Sequence, residues 1–376
     1  MRPGTEYAVH DLEEVAPRWR DLCRESGAAP FHWPDWYQRW AQAFAADPIR
    51  VIAAHRGGHL IGVLPLVDRR GALRSPVNGH TPYFGPVVHG DEALAPLLDG
   101  LIAVARKGFV LQRVPMTDLQ HAAWDAGLSG ATRHRRIVPE GASQITDVRG
   151  TWEDFLASRS PSRRRELRRA HKRVGRGGAV AIEVHRGRDA LDLLGPCFTL
   201  EAAGWKGREG TAIANLSATH RFYRQFGAWA ADHGWLRVTT LRVDGRLAAF
   251  SLDIQHGGVL YLLKTAYAED LAALGPGTAL SHALIREAFA TDELHRLEWL
   301  GDDESKRALG NGQVPVHQVI ASPPGWTGLL RYAARIGVER AEDLARRSMP
   351  PRLRARLRAT RARLGDRADR VEDVRR

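Results

Sequence analysis

The stretch that decides the fold is residues 235–267, WLRVTTLRVDGRLAAFSLDIQHGGVLYLLKTAY. It contains three β-rich runs, at 235–243, 246–255 and 259–267. Asp244-Gly245 separates the first two runs, and His256-Gly257-Gly258 separates the second from the third. Glycine-rich turns of two or three residues join antiparallel neighbours. The stretch therefore predicts a three-stranded antiparallel meander.

The segments around this meander extend the prediction in both directions. A turn at Gly275-Pro276-Gly277 opens a helical pattern at 278–290, and a short strand follows at 295–300. Upstream, the patterns predict a basic helix over 163–173 and then, in order, a strand at 179–185 and helices at 189–203 and 217–233. The second half of the chain is therefore expected to form a mixed sheet flanked by helices.

The first half repeats this order more loosely. A strand at 6–10 and a helix at 11–26 precede a helix on which Trp33, Trp36 and Trp40 form a stripe typical of core packing. A hairpin (49–54 and 59–67), a loop and a helix at 91–106 follow, and shorter strand-like pieces continue to about 149. We predict a duplicated fold with domains at 1–150 and 151–320 and a basic helical tail at 321–376.

Composition excludes several classes of protein. The 376 residues are 44% hydrophobic and 26% charged, which is typical of a soluble globular chain long enough for two domains. No apolar run approaches the ~18 residues of a membrane helix, and the amino terminus turns acidic where a secretory signal would be apolar. Cys23 and Cys197 cannot form a disulfide framework. We expect a cytoplasmic protein.

The basic charge is concentrated in two segments. Residues 151–178 hold nine Arg or Lys against three acids, and 321–376 hold fifteen Arg against seven. The summed net charge of these two segments exceeds the +12 of the whole chain, so the rest of the chain is near neutral. The chain has five lysines, and Lys206, Lys264 and Lys306 fall in the segment predicted to be active. Lysine offers a compact ammonium with a tunable pKa, which arginine cannot supply.

Several short motifs together resemble a two-domain family. The motifs are Trp36 with Trp40, Gly62-Val63-Leu64-Pro65-Leu66, Glu201 with Trp205-Lys206-Gly207, Asp244-Gly245-Arg246 with Ala249-Phe250, Leu263-Lys264 with Tyr267, Pro276-Gly277, and Gly301 with Lys306. In these motifs and their order, the chain is similar to the GNAT-related family that includes CelD-type proteins of cellulose biosynthesis, itself similar to FemABX peptidyl transferases. The core of GNAT acyltransferases is a meander strand, a glycine turn, a helix and a parallel strand.

This resemblance implies a fold and a reaction. The fold class is α/β (α+β), with tandem GNAT-like domains, each a mixed, largely antiparallel sheet flanked by helices, the N-terminal copy degenerate. The reaction is N-acyl transfer from acyl-CoA to an amine by direct attack with general-base assistance. The donor's pyrophosphate would lie at the start of the 278–290 helix, where N–H groups and the helix dipole favour an anion.

The donor-binding turn departs from the superfamily's usual form. Gly275, Pro276, Gly277 and Thr278 are the candidate cofactor-binding residues, but Pro276 has no N–H to donate. Ala272 stands where the superfamily carries Arg or Gln. Acetyl-CoA or a longer acyl-CoA is the first expectation for the donor, an acyl carrier protein the second, and aminoacyl-tRNA the third. The alternative reading of the turn is a plain helix start.

The candidate catalytic residues are Asp302, Glu201, Tyr267 and Lys306. Acyl transfer to an amine needs a base and a donor that stabilises the oxyanion. Asp302 follows the last strand and is a candidate base or ammonium anchor, or alternatively the N-cap of a helix at 303–309. Lys306 would pair with Asp302 or a phosphate, or is a solvated lysine. Glu201 is a second candidate base, although such a residue is more often at the surface.

The candidate substrate-binding residues are Trp205, Lys206, Lys264 and Tyr83. On a regular strand, Lys264 and Tyr267 face opposite sides, so both line one cleft only if a bulge lies between them. GNAT-like proteins carry such a bulge on the corresponding strand. Tyr83, in a Gly/Pro-rich loop, is expected to border an acceptor cleft.

The alternatives concern the donor and the basic segments. FemABX-like transfer from aminoacyl-tRNA is one alternative, and a non-catalytic scaffold that binds an anionic partner is another. The Arg helix 163–173 and the run 352–363 are solvated faces or contacts to an anionic partner or membrane surface. No dedicated nucleic-acid reading motif or metal-ligand spacing is present in the sequence, and we expect no metal. The acceptor is a small-molecule, sugar or peptide amine.

Overall fold

The computed structural model describes residues 5–44, 47–129, 132, 134–330, 332–334 and 337, and these divide into two compact units. Unit 1 contains the described residues up to Gly141 and from Val314 onward, and unit 2 spans Ala142–Gln313. The domain boundaries that the sequence predicts, at 150 and 320, stay predictions. The expected tail run at 352–363 lies outside the described residues.

The helices and strands follow one another in this chain order: β1 Thr5–Asp11, α1 Leu12–Ser26, α2 Pro34–Phe44, β2 Ile49–Arg56, β3 His59–Arg69, β4 Ala72–Arg74, β5 Val87–Val88, α3 Leu94–Val104, β6 Phe109–Pro115, α4 Asp118–Ser129, β7 Arg135–Asp147, α5 Trp152–Ala157, α6 Pro161–Val174, β8 Val180–Arg186, α7 Gly187–Asp192, α8 Leu194–Ala203, α9 Trp205–Arg208, α10 Ser217–Asp232, β9 Leu236–Val243, β10 Arg246–His256, β11 Val259–Tyr267, α11 Pro276–Ala290, β12 Arg296–Glu298, α12 Glu304–Leu309 and β13 Gly312–Ala321.

Unit 1 is built on a sheet in which β1, β2 and β3 pair antiparallel in sequence order. Strand β4 joins β3 antiparallel and β6 in parallel, and β13 pairs antiparallel with β6. The predicted tryptophan stripe is core, because Trp33, which directly precedes α2, and Trp36 and Trp40 of α2 are each at most 6% exposed.

Unit 2 contains the predicted meander with almost the predicted bounds. Strands β8, β9, β10 and β11 pair antiparallel in sequence order. Strand β12 pairs in parallel with β11, and residues 145–147 of β7 pair antiparallel with β12. The core beneath the meander joins apolar residues of α6, β9–β11 and α11, including Val174, Leu241, Leu260 and Leu284. The predicted class, a mixed and largely antiparallel sheet flanked by helices, is confirmed.

Each unit begins with a strand, continues with helices and an antiparallel meander, and then has a helix and a further strand. The sequence did not predict α4 or β13, and it predicted one helix at 189–203 where the chain forms α7 and α8. Helix α4 was missed because only Trp124 and Leu128 of its twelve residues are buried, which leaves little apolar periodicity to detect.

Candidate functional site

A cavity of about 480 Å³ lies at the first turn of α11, with all of its lining residues in unit 2. Elements α6, α8, α9, β10, β11, α11 and α12 contribute to its walls. Seven of the predicted site residues line it: Glu201, Trp205, Lys206, Tyr267, Gly277, Thr278 and Lys306. Asp302, Gly275, Pro276, Lys264 and Tyr83 are not among its lining residues.

The turn before α11 shapes the cavity wall. Gly275 adopts the left-handed conformation (φ 68°) as the helix N-cap, and Pro276 occupies the first helical position. A glycine cap has no side chain to bond the first-turn N–H groups, so these donors are left for a ligand. A Cβ on Gly277 would lie 3.1 Å from Cδ1 of Tyr267, so glycine keeps this wall open.

Glu201 and Lys206 form the most buried ion pair of the cavity. The Lys206 ammonium lies 2.6 Å from Oε1 of Glu201, while the backbone N–H of Ile213 donates to Oε2 at 2.9 Å. Glu201 is 3% exposed, which corrects the expectation of a surface residue. Lys206 also donates to the Thr265 carbonyl at 3.4 Å, so the pair ties α8 and α9 to β11. The result is a fixed ammonium at the cavity wall.

A carboxylate that the sequence did not single out holds the Trp205 turn in place. Glu269 accepts the Trp205 backbone N–H at 2.6 Å and two hydrogen bonds from Arg208, at 2.7 and 3.2 Å. The Arg208 guanidinium holds the pKa of Glu269 below its ordinary value. The Trp205 ring is 49% exposed, and the Lys206 ammonium lies 5.9 Å from its centroid. Trp205 thus presents an open aromatic face.

Strand β11 carries a bulge, but not between Lys264 and Tyr267. Lys264 pairs with Leu252 and Leu262 pairs with Asp253, so the extra residue is Leu263. Lys264 consequently does not line the cavity with Tyr267, and its ammonium lies 5.6 Å from the ring centroid of Tyr223 on α10. The condition for Lys264 and Tyr267 to line one cleft, a bulge between them, is therefore not met. Tyr267 is 41% exposed at the cavity mouth.

The acidic turn after β12 differs from the prediction. Asp303, not Asp302, is the N-cap of α12, because its Oδ1 accepts the Lys306 backbone N–H at 3.2 Å. The Lys306 ammonium pairs with Asp303 at 3.2 Å, also in place of Asp302. Asp302 is held by Arg307 at 2.7 and 2.8 Å and by Gln144 at 2.8 Å, and hydrogen bonding to Arg307 lowers its pKa.

Tyr83 belongs to unit 1, where it is buried (5% exposed) and packs 5.7 Å from the Phe31 ring. This placement makes it part of the unit 1 core. Its expected role at an acceptor cleft stays a prediction.

Helices α6 and α11 bring further residues to the cavity that the sequence did not single out as site residues. Arg163 and Glu166 of α6 form an ion pair in its wall. Ser281 and His282 lie three and four residues after Thr278, so they share its helix face. That spacing was readable from the sequence once Thr278 was chosen. His282 is 6% exposed, and neither ring nitrogen has a hydrogen-bond partner in the described part of the chain.

Among the residues that the structure describes, no group of three or more His, Cys, Asp or Glu is arranged to hold a metal ion. Within the same residues, no helix combines the length and apolarity needed to cross a membrane. Cys23 and Cys197 are buried and unpaired, and burial raises the pKa of the Cys197 thiol to about 12. Neither thiol suits a nucleophile.

Comparison with protein families identifies the segment around this cavity. A family model described as an acetyltransferase (GNAT) domain matches residues 161–307. This range contains every cavity-lining residue except Leu309. No curated protein matches the chain.

Several solved structures share the fold at low sequence identity. FemX is 13% identical with a TM-score of 0.56, covering 83% of this chain and 96% of its own. The C-terminal domain of a putative lysylphosphatidylglycerol synthetase from Agrobacterium fabrum is 12% identical with a TM-score of 0.55, covering 82% and 92%. L-PGS from Bacillus licheniformis is 12% identical with a TM-score of 0.53, covering 85% and 96%. Residues 161–307 are therefore similar to a GNAT acetyltransferase domain, and the chain shares its fold with solved structures of the FemX and lysylphosphatidylglycerol synthetase types.

Proposed function

We propose that the GNAT-like domain at 161–307 is an N-acyltransferase that moves an acyl group from acyl-CoA to the amine of a small molecule, sugar or peptide. The observation that carries this proposal is the cavity at the first turn of α11, where uncapped N–H donors adjoin titratable side chains. The cavity volume, about 480 Å³, suits a small-molecule site. The finer resemblance to CelD-type proteins belongs to this proposal as well.

The donor would bind along the start of α11. Its pyrophosphate is stabilised by the N–H groups of Gly277 and Thr278 and by the positive end of the helix dipole. Lys306, which lines the cavity, is one third exposed and pairs with Asp303, supplies a further cation. This turn offers the pyrophosphate fewer backbone N–H donors than the superfamily's usual form, because Pro276 has no N–H.

The reaction forms a C–N bond and breaks the thioester C–S bond. The amine nitrogen attacks the thioester carbonyl, a base takes the proton from nitrogen, and the leaving thiolate gains a proton. Of the two predicted bases, Glu201 lines the cavity, while Asp302, which pairs with Arg307, is not among the lining residues. We assign Glu201 as the base and the Tyr267 hydroxyl as the acid, with the Lys206 ammonium stabilising the oxyanion.

The test is an acyl-transfer assay with a panel of acyl-CoAs and amines, following free thiol release. Glu201→Gln is expected to lower kcat by about 100-fold and Tyr267→Phe by about tenfold. Two variants serve as controls. Glu209→Gln changes a carboxylate that does not line the cavity, and Tyr7→Phe changes a tyrosine of unit 1 that is about as exposed as Tyr267 (36% against 41%). Transfer that survives Glu201→Gln and Tyr267→Phe unchanged would remove these assignments.

An aminoacyl-tRNA donor is the second candidate, and one observation favours it. Helix α6, whose Arg163 lines the cavity, also exposes Arg165, Arg168, Arg169 and Lys172 to solvent. Such a surface suits a polyanion larger than CoA. Transfer from charged tRNA with no transfer from any CoA thioester would select this candidate. Binding of an anionic partner without transfer would select the scaffold alternative.

A further inference from the structure

A second cavity, of about 810 Å³, lies on the other side of α11 and plays no part in the proposed reaction. Helices α5, α6 and α11 and strands β8 and β9 form its walls. His282 and Leu284 line both cavities, so α11 is the partition between them. The volume lies within the range of small-molecule sites, roughly 300–1,000 Å³.

The walls of the second cavity are mostly apolar. Trp152 and Leu156 of α5, Leu167 of α6, and Ile182 and Val184 of β8 face it, together with alanines of α11. Val184 is 38% exposed, so part of this apolar wall is open to solvent. Exposed apolar surface is stabilised by an occupant that removes it from water. The interior therefore favours a hydrocarbon chain.

Its solvent-exposed charges are positive. Arg168 and Lys172 of α6 and Arg286 of α11 line the cavity and are exposed, and none of the three has an ion pair or hydrogen bond within the described part of the chain. The acidic lining residue, Glu287, already pairs with the buried Arg237 of β9. The cations that remain available complement an anionic group.

We propose that this cavity binds a single-chain amphipathic anion, an alkyl chain with a phosphate or carboxylate head. The chain lies against Trp152, Ile182 and Val184, and the head is held by Arg168, Lys172 and Arg286. This inference does not depend on the proposed acyl transfer, since binding in the second cavity needs neither CoA nor turnover.

The experiment titrates the full chain with monomeric dodecyl phosphate by isothermal calorimetry. Dodecanol and inorganic phosphate probe the apolar and the charged half of the site separately. We expect dodecyl phosphate to bind at least about tenfold more tightly than either, with affinity that falls as salt increases. Equal binding of dodecanol would mean a purely apolar cavity, and equal binding of phosphate a surface anion site. Either result would overturn the proposal.

Variants locate the binding on the molecule. Arg168→Gln combined with Arg286→Gln is expected to weaken dodecyl phosphate binding by about tenfold or more without changing Tm, because both side chains are exposed and unpaired. Ala283→Trp fills the cavity and is expected to abolish binding. Arg165→Gln, an exposed arginine on the same helix that does not line the cavity, is the matched control.

Unchanged affinity in the double variant, or an equal loss in Arg165→Gln, would refute the site.

Sedimentation with anionic phospholipid vesicles tests whether the same ligand chemistry comes from a membrane surface instead of a single amphiphile. If the protein binds vesicles through Arg168 and Arg286 but does not bind the monomeric amphiphile, the surface is a membrane contact and the proposed ligand is wrong.

Discussion

His282 is a buried polar side chain, and none of the residues that the structure describes forms a hydrogen bond with its ring nitrogens. Burial and, to a lesser extent, the neighbouring Arg163 and Arg173 together lower its pKa to about 4, so the imidazole is neutral at physiological pH. A buried polar group without a partner costs stability unless something satisfies it. Since His282 lines both cavities, a ligand bound in either one is a candidate partner.

Replacing His282 by leucine separates stability from function. His282→Leu removes two unsatisfied nitrogens and is expected to keep or raise the free energy of unfolding, by about 1 kcal/mol. If a ligand satisfies the imidazole, the same variant lowers kcat/KM for acyl transfer. Urea unfolding and the transfer assay measure the two effects, with the exposed His171→Leu as control. A stability loss of several kcal/mol would show that the imidazole is structural.

The Glu201–Lys206 pair predicts a second energetic signature. Lys206→Met leaves a carboxylate buried with one remaining N–H donor, and is expected to cost about 3 kcal/mol of unfolding free energy. The double variant Glu201→Gln with Lys206→Met is expected to cost less, because no charge remains buried. Lys172→Met, an exposed and unpaired lysine, is the control. Simple additivity in the double-mutant cycle would contradict the coupling.

At this residue scale, the sequence located Glu201 and Lys206 but not their burial. Glu201 shares the buried face of α8 with Leu194 and Phe198, but a carboxylate at such a position is usually exposed unless it is paired, and its environment depends on Ile213 and on β11. His282 was missed for the opposite reason. A lone histidine within an apolar helix resembles a core residue, and only the cavity shows that its nitrogens are unpartnered.

At the scale of elements, β10 buries an acid in the middle of the sheet. Asp253 is fully buried and accepts a hydrogen bond from Ser251, and burial raises its pKa to about 7. The folded protein therefore holds a proton on Asp253 that the unfolded chain releases near pH 4. The contribution of Asp253 to the free energy of unfolding is therefore fully present below about pH 4 and is lost as the pH rises towards 7.

Asp253→Asn tests this linkage. The variant is expected to lose the part of the pH dependence that Asp253 contributes, a fall of at most about 1.4 kcal/mol per pH unit between pH 4 and 7. Its stability relative to the parent should therefore increase as the pH rises. Unfolding free energies at pH 5 and pH 8 decide the matter. Parallel pH profiles for the two proteins would show that Asp253 is ionised in the fold.

The turn before α11 predicts different outcomes for its two glycines. Gly275→Ala places a side chain at a φ of 68° and is expected to cost about 1–2 kcal/mol of stability with little effect on chemistry. Gly277→Ala introduces no strain in φ, but its Cβ narrows the cavity beside Tyr267. It should therefore raise KM and leave Tm nearly unchanged. Thermal unfolding and steady-state kinetics on both variants measure the contrast. The reverse pattern would contradict the donor-binding role of this turn.

The elements also show where sequence patterns lose information. Alternation and glycine turns predicted β9, β10 and β11 almost to the residue. They did not place the bulge, because register depends on which residues of β10 pair with Leu262 and Lys264. They missed β13 because Pro315 interrupts its pattern, and its pairing with β6 joins residues about 200 apart in sequence.

At the scale of the whole molecule, charge and fold separate two kinds of binding. The net charge of +12 resides largely in 151–178 and 321–376. Within the first of these segments, α6 carries an exposed basic face. Binding to that face is electrostatic and weakens with salt. Binding in the cavity at α11 combines hydrogen bonds with apolar contact and should tolerate salt better. This difference distinguishes a substrate from an incidental polyanion.

The most direct test of the central claim is a thermal-shift titration with acetyl-CoA, long-chain acyl-CoAs and free CoA at low and high salt. A ligand that binds only the folded state raises Tm. We predict a salt-tolerant increase with at least one acyl-CoA, lost in Thr278→Trp, which blocks the cavity at the first turn of α11, and retained in Arg165→Gln. The absence of a shift with every CoA species, or a shift that persists in Thr278→Trp, would contradict acyl-CoA binding in this cavity.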